Sequence, residues 1–267
     1  MGSVPKHFND VCKEKYVPLG FKRVGKVSYA RKRGDHIQTF TLTCAANIRE
    51  YSVQFGIIPL CSSTPVHLDG GVYTLDSLIV EMYESYWGWT FAERTDEDIK
   101  KCINEISHNM DLYMIPFFEK CVDCRSSLEE TIKLRRAVEN ARLKWLILSG
   151  RRTHSDPLEE QLFEKHLFYN SQRYYMALKS ENWDYMRKYY NVWIDNHKKL
   201  LADQSDPNVI TKQPEWVIKR VSDKLALHME QLKHLDEGDF AYFVRMRESN
   251  EKQLREYLLE KYPELEI

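Results

Sequence analysis

The chain has 267 residues, 43% of them hydrophobic and 12% aromatic, enough for one large domain or two ordinary ones. Lys and Arg total 39 against 40 Asp and Glu, so the net charge of −1 offers no general attraction to nucleic acid or to an anionic membrane. Ten glycines and nine prolines exclude collagen-like repeats and argue against disorder.

The opening MGSVPKHFNDVCKEKY lacks the apolar run of a signal peptide, and Lys6 stands where a myristoylation pattern needs Ser or Thr. With no apolar run approaching a membrane span, a cytoplasmic location is expected. Six cysteines in a chain of this size point to reduced thiols rather than a disulfide framework. Charge is uneven: residues 1–36 hold nine Lys/Arg against three Asp/Glu, which leaves the remainder at −7.

Three early segments alternate with period two, as half-buried strands do. In FKRVGKVSYARK, Phe21, Gly25, Val27 and Tyr29 share one face, and Lys22, Lys26 and Lys32 share the other. Phe40, Leu42 and Cys44 align next, then Tyr51, Val53, Phe55 and Ile57. Turns at Arg33-Gly34-Asp35 and from Asn47 to Glu50 are short enough for hairpins, so an antiparallel meander is expected. HLDGGVY reads as a turn, and YWGWTF (Tyr86 to Phe91) reads as a fourth strand.

From Thr95 the period becomes helical. Ile99, Ile103, Ile106, Met110, Tyr113 and Phe117 form a stripe behind a Thr95/Asp96 cap, with Pro116 expected to end or kink the helix. Ser127 to Glu130 reads as a capping box for a helix carrying Leu128, Ile132, Val138, Ala141 and Trp145. SGRRTHSDP is a turn, with a new helix start at Asp156-Pro157. The stripe Trp183, Met186, Tyr190, Trp193, His197, Leu200 places Trp193 at the centre of a buried face. After the loop DQSDPNVITKQP come Val217, Val221, Leu225, Met229 and Leu232, and Asp236-Glu-Gly238 precedes a final charged helix. No second copy follows at a fixed period, so a repeat array is not indicated.

Chemistry is sparsely written. Cys121-Val-Asp-Cys124 lacks a second ligand pair for zinc and follows a helix instead of preceding one, so two buried packing thiols are expected, with no metal and no cofactor. Lys22, Arg23, Lys26, Arg31, Lys32 and Arg33 surround Tyr29 on the first hairpin. They could track a phosphate backbone, blunt a sheet edge, or meet an acidic protein. Trp87 and Trp89 share a strand face and read as an aromatic binding wall or as core. There is no phosphate-binding Gly-rich loop, no Gly-x-Ser-x-Gly and no His-Glu-x-x-His.

LGFKRVGKVSYARKRGDHIQTFTLTCAANIREYSVQFGI, followed by YWGWTF, DEDIKKCINEI and MIPFF, resembles the bacterial domain-of-unknown-function family 4304 over residues 6–122. Gly20, Phe21, Lys22, Gly25, Lys26, Phe55, Gly56, Ile57, Trp89, Asp98, Ile103 and Pro116 carry the resemblance. It departs where Ala30 separates Tyr29 from Arg31, which members tend to place together. The resemblance implies a bacterial α+β protein and supplies no catalytic residue; small bacterial domains of this kind are often suspected of toxin-immunity work.

The expectation is an α+β fold: a small antiparallel sheet of about four strands with flanking helices over residues 1–124, then an all-helical region over 125–267. The expected function is a non-catalytic, cytoplasmic protein-interaction module, possessing a protein partner and no nucleic-acid or membrane ligand. Arg23, Arg31, Trp87 and Trp89 are the candidate binding residues. The alternative is an enzyme or a nucleic-acid- or nucleotide-binding protein using the basic hairpin 22–33.

Overall fold

A computed structural model describes residues 4–45, 50–68, 73–75, 89–90, 95–148, 170–205 and 212–267. Helix α1 (Val4–Lys15) leads through a 3-10 turn into β1 (Lys22–Arg23), β2 (Ser28–Arg33), β3 (His36–Ala45), β4 (Glu50–Pro59), β5 (Tyr73–Thr74) and β6 (Trp89–Thr90). The helices α2 (Asp96–Asn109), α3 (Ile115–Lys120), α4 (Cys124–Leu148), α5 (Ser171–Lys179), α6 (Trp183–Ser205), α7 (Glu215–Asp236) and α8 (Phe240–Lys261) follow. The fold is α+β, with an antiparallel sheet near the start and a helical C-terminal region. Among the described residues no helix is long and apolar enough to cross a membrane.

The sheet runs β1-β2-β3-β4, and β5 and β6 both pair with the outer edge of β4. β2 and β3 join through Gly34-Asp35, with Arg33 opposite His36. Gly34 has φ 57°, which favours glycine, and a Cβ there would crowd the Val122 carbonyl oxygen at 3.2 Å. The expected link from Asn47 falls on residues 46–49, outside the described chain, as do Tyr86 to Gly88, the Asp-Gly-Gly turn and residues 149–169.

One strand is shorter than its pattern suggests. The chain doubles back between Val24 and Val27, so that Lys22 pairs with Ala30 and Arg23 with Tyr29. The reversal is held by Val24 N–H donating to the Ser28 carbonyl at 2.9 Å and Asn9 Nδ2 donating to the Lys26 carbonyl at 3.1 Å. Gly25 therefore belongs to a turn, and the apparent period-two face of residues 21–31 is made from two strands.

On one face of the sheet the register stacks aromatics across four strands: Tyr29 opposite Phe40, Phe40 opposite Phe55, Phe55 opposite Tyr73. Tyr29 and Phe40 stack at 5.5 Å, and Phe40 also meets Phe8, Tyr16 and Phe21 edge-on. This face belongs to one continuous core to which all the helices α1 to α8 contribute residues. The other face, through Ala30, Ile37, Ile58 and Leu60, packs on Leu254 and Leu258 of α8 and on Leu265 beyond it. Alternating strands buried on both sides are what this double cover requires.

Thr95 and Asp98 form a reciprocal capping box that starts α2. Between α2 and α3 the chain makes a π turn over Met110–Met114, in which Ile115 N–H reaches back to the Met110 carbonyl. The extra residue advances the buried stripe: Met110 and Met114 are fully buried, while Tyr113, placed on the stripe by regular spacing, is exposed. Pro116 sits in the first turn of α3, where its missing N–H is tolerated. Helix α4 begins at Cys124, three residues before the capping box expected at Ser127. Its actual cap is Asp123, whose Oδ1 accepts Ser126 N–H at 2.8 Å.

Candidate functional site

Half of the hairpin's six cations, Lys22, Arg31 and Arg33, are matched by carboxylates of the same chain. Arg31 is 6% exposed and lies over the Phe21 ring, 4.5 Å from its centroid. Its Nε donates to Gln38 Oε1 at 2.7 Å, Nη1 to the Leu19 carbonyl at 2.9 Å, and Nη2 to Glu119 Oε1 at 2.6 Å. Arg33 takes the second Glu119 oxygen at 3.2 Å, Lys22 pairs with Glu266 at 2.5 Å, and Lys15 with Asp111 at 2.7 Å. Arg23 is exposed but donates to the Gly25 and Lys26 carbonyls of its own turn, at 2.8 and 2.9 Å. Trp89 pairs across the backbone with Tyr51, and Trp87 lies outside the described residues. Nothing brings the two arginines onto a shared ligand.

The Cys-x-x-Cys segment is a break between two helices. Gln38 donates its Nε2 to the Phe118 carbonyl at 2.8 Å and the Cys121 carbonyl at 3.1 Å, closing the end of α3. Cys121 and Cys124 are both free and fully buried. Burial pushes the Cys121 thiol up to about 12 and raises Cys124 further, so neither is a ready thiolate. Asp35, His36 and Cys124 place an oxygen, a nitrogen and a sulfur within 4.8 Å of one another. Each already has a partner: His36 Nδ1 meets Asp35 Oδ1 at 3.2 Å, its Nε2 meets Gln38 Nε2 at 3.3 Å, and the Cys124 thiol faces the Asp35 carbonyl at 3.8 Å. Burial alone would raise the Asp35 carboxyl, but hydrogen bonds from His36 and Cys124 outweigh it and hold the group below its ordinary range. The chemistry of this trio is that of a hydrogen-bonded turn.

The α6–α7 hairpin has a different character. His197 and His228 stack at 5.4 Å in its seam, beside Trp193, and neither Nδ1 has a hydrogen-bond partner. Burial, then the charges of His197 and Lys224, pushes His228 down to about 4; burial and Lys224 also lower His197. The unfolded chain, titrating near 6.5, binds these protons first, so this stability is present above about pH 6.5 and lost as pH falls towards 4. The melting temperature is expected to fall between pH 7 and pH 5. The double variant His197→Phe, His228→Phe should show a shallower fall in thermal scans, and an unchanged slope would place the acid sensitivity elsewhere.

Between Glu215 and Glu230 helix α7 has no fully buried residue: Val217, Val221 and Leu225 are only partly covered. Trp193, expected at the centre of the helical half, is half-buried, and the neighbouring Ile194 is buried instead. The outer side of α7 carries a shallow groove lined by Trp216, Lys219, Arg220, Asp223, Lys224 and Leu227. Trp216 is 66% exposed and Leu227 is 45% exposed. Spacings of four, three and four from Trp216 through Arg220 and Asp223 to Leu227 form a second stripe on a helix whose first stripe is Val217, Val221, Leu225. That second stripe is visible in the sequence, but following the apolar residues alone passes over it. Comparison with protein-family models, with curated proteins and with solved structures gave no match.

Proposed function

We propose that the protein is a non-catalytic protein-interaction module that docks an acidic segment of a partner protein on the outer face of α7. The supporting observation is Trp216, an exposed tryptophan beside Lys219, Arg220 and Lys224, none of which has an ion-pair partner among the described residues. Tryptophan and arginine are the side chains that most often carry interface energy, and large exposed aromatics are uncommon elsewhere on a surface. Three cations against the single Asp223 favour an acidic partner, with apolar side chains to meet Trp216 and Leu227. Immunity-type binding of a toxin is one form of this reading, suggested by the family resemblance. The alternative, an enzyme or a nucleic-acid or nucleotide binder working through residues 22–33, is less favoured because the hairpin arginines Arg23, Arg31 and Arg33 are already engaged.

A photocrosslinking residue at position 216 should capture one acidic protein in cells, and the same residue at exposed Leu259 should not. With that protein purified, binding should weaken with added salt, and Trp216→Ala and Arg220→Glu should each reduce affinity at least about tenfold without lowering the melting temperature. Equal capture from both positions, self-capture alone, or unchanged affinity in both variants would defeat the proposal.

A further inference from the structure

Where α4, α5 and β5 meet, the core holds donors without acceptors. Arg173, in the first turn of α5, is 3% exposed, and its Nε and Nη1 have no hydrogen-bond partner. No carboxylate pairs with it among the described residues. Arg135 of α4 joins Glu139 through Nη2, yet its Nε is buried and unpartnered as well. The Tyr73 hydroxyl, at the end of the aromatic ladder, is buried with no partner within 3.5 Å, Thr131 being a polar neighbour at longer range. α4 and α5 meet here: Thr131, one turn from Arg135, brings its Oγ1 to 3.9 Å from the Sδ of Met176, one turn from Arg173, and Tyr73 lies near enough to feel the charge of both arginines.

A guanidinium removed from water loses far more hydration energy than packing returns, so buried arginines are found with a counter-charge. Arg173 has no such counter-charge among the described residues, and with the Nε of Arg135 and the Tyr73 hydroxyl, on separate elements, it presents four donors without an acceptor. Their common complement is an anion with several oxygens. We propose that Arg173, Arg135 and Tyr73 form a buried binding site for a phosphate group, with Arg173 as its principal cation. The phosphate is either free or part of a small metabolite. It enters during folding or when the helices part, since Arg173 is closed to solvent. The site lies apart from the α7 groove and stands or falls independently of it.

Thermal unfolding in buffers of matched ionic strength tests the proposal on the whole chain. Inorganic phosphate about 100-fold above its Kd should raise the melting temperature by roughly 5–10 °C. Sodium chloride should not. Arg173→Met should abolish the shift while melting no lower than the parent in phosphate-free buffer, because it removes a buried charge that has no counter-charge among the described residues. Tyr73→Phe, which deletes only the hydroxyl, should reduce the shift, and it keeps the test valid if the methionine variant fails to fold. A native mass spectrum separates bound inorganic phosphate from a phosphorylated metabolite. A parent protein indifferent to phosphate with no co-purified phosphorylated ligand, or equal shifts in parent and Tyr73→Phe, would overturn the site.

Discussion

Arg31→Ala should destabilise the protein by roughly 3–4 kcal/mol, close to what is lost when one member of a buried charged pair is removed. The substitution strips donors from the buried Gln38 amide oxygen and from the Leu19 carbonyl, and it uncovers the Phe21 ring. Glu119 contributes less, since its half-exposed carboxylate can return to water and keep Arg33. Arg23→Ala provides the contrast: it removes two exposed bonds to a turn and should change stability by about 0.5 kcal/mol or less. Urea unfolding of both variants decides the matter. A loss below about 1 kcal/mol for Arg31→Ala would mean that its ion pair and three hydrogen-bond acceptors are dispensable.

Phe40→Ala should be at least as damaging, at about 3–5 kcal/mol. Phe40 is 1% exposed and sits in the middle of the ladder, touching Tyr29, Phe8, Tyr16 and Phe21. Its removal leaves a cavity bounded by rings on α1 and two strands, which cannot all collapse inwards together. Aromatic pairs contribute about 0.5–1.5 kcal/mol beyond area, though not additively across one shared ring. Trp193→Ala, by contrast, deletes a half-buried side chain and should cost only about 1–2 kcal/mol. A larger loss at Trp193 than at Phe40 in the same denaturation series would reverse this ranking of the two cores.

The long strands β3 and β4 are legible because alternation and short turns are local properties, as is the Thr95 cap. The misplacements share one cause: information at long range or in backbone geometry. Gly25 fits a strand face by spacing, and nothing nearby announces that Asn9 will hold it in a turn. A π turn shifts the stripe from Tyr113 to Met114 without altering residue types. Arg31 reads as a solvated edge cation because its carboxylate partner lies 88 residues away. The Cys-x-x-Cys thiols are legible as buried packing groups, but the helix break between them, capped by Gln38 from 83 residues away, is not. Arg173 carries no signal of its own, since an arginine in a helix is ordinarily a surface residue.

The second cover of the sheet has a consequence for how the chain is made. Ala30, Ile37, Ile58 and Leu60 wait for Leu254, Leu258 and Leu265, and Lys22 waits for Glu266, 244 positions later. During synthesis one side of the sheet can close on α1 and α2 early, while the other has only Val66 and Leu68 for cover until residues 254–265 have left the ribosome. Contacts of such separation slow folding and prolong the exposure of apolar strand surface. At translation speeds of about 5–20 residues per second, that surface stays largely uncovered for roughly 10 s or more. The nascent chain is therefore a natural client for chaperones that shield apolar β-surface, and its yield should depend more on their supply than on the stability of the finished fold.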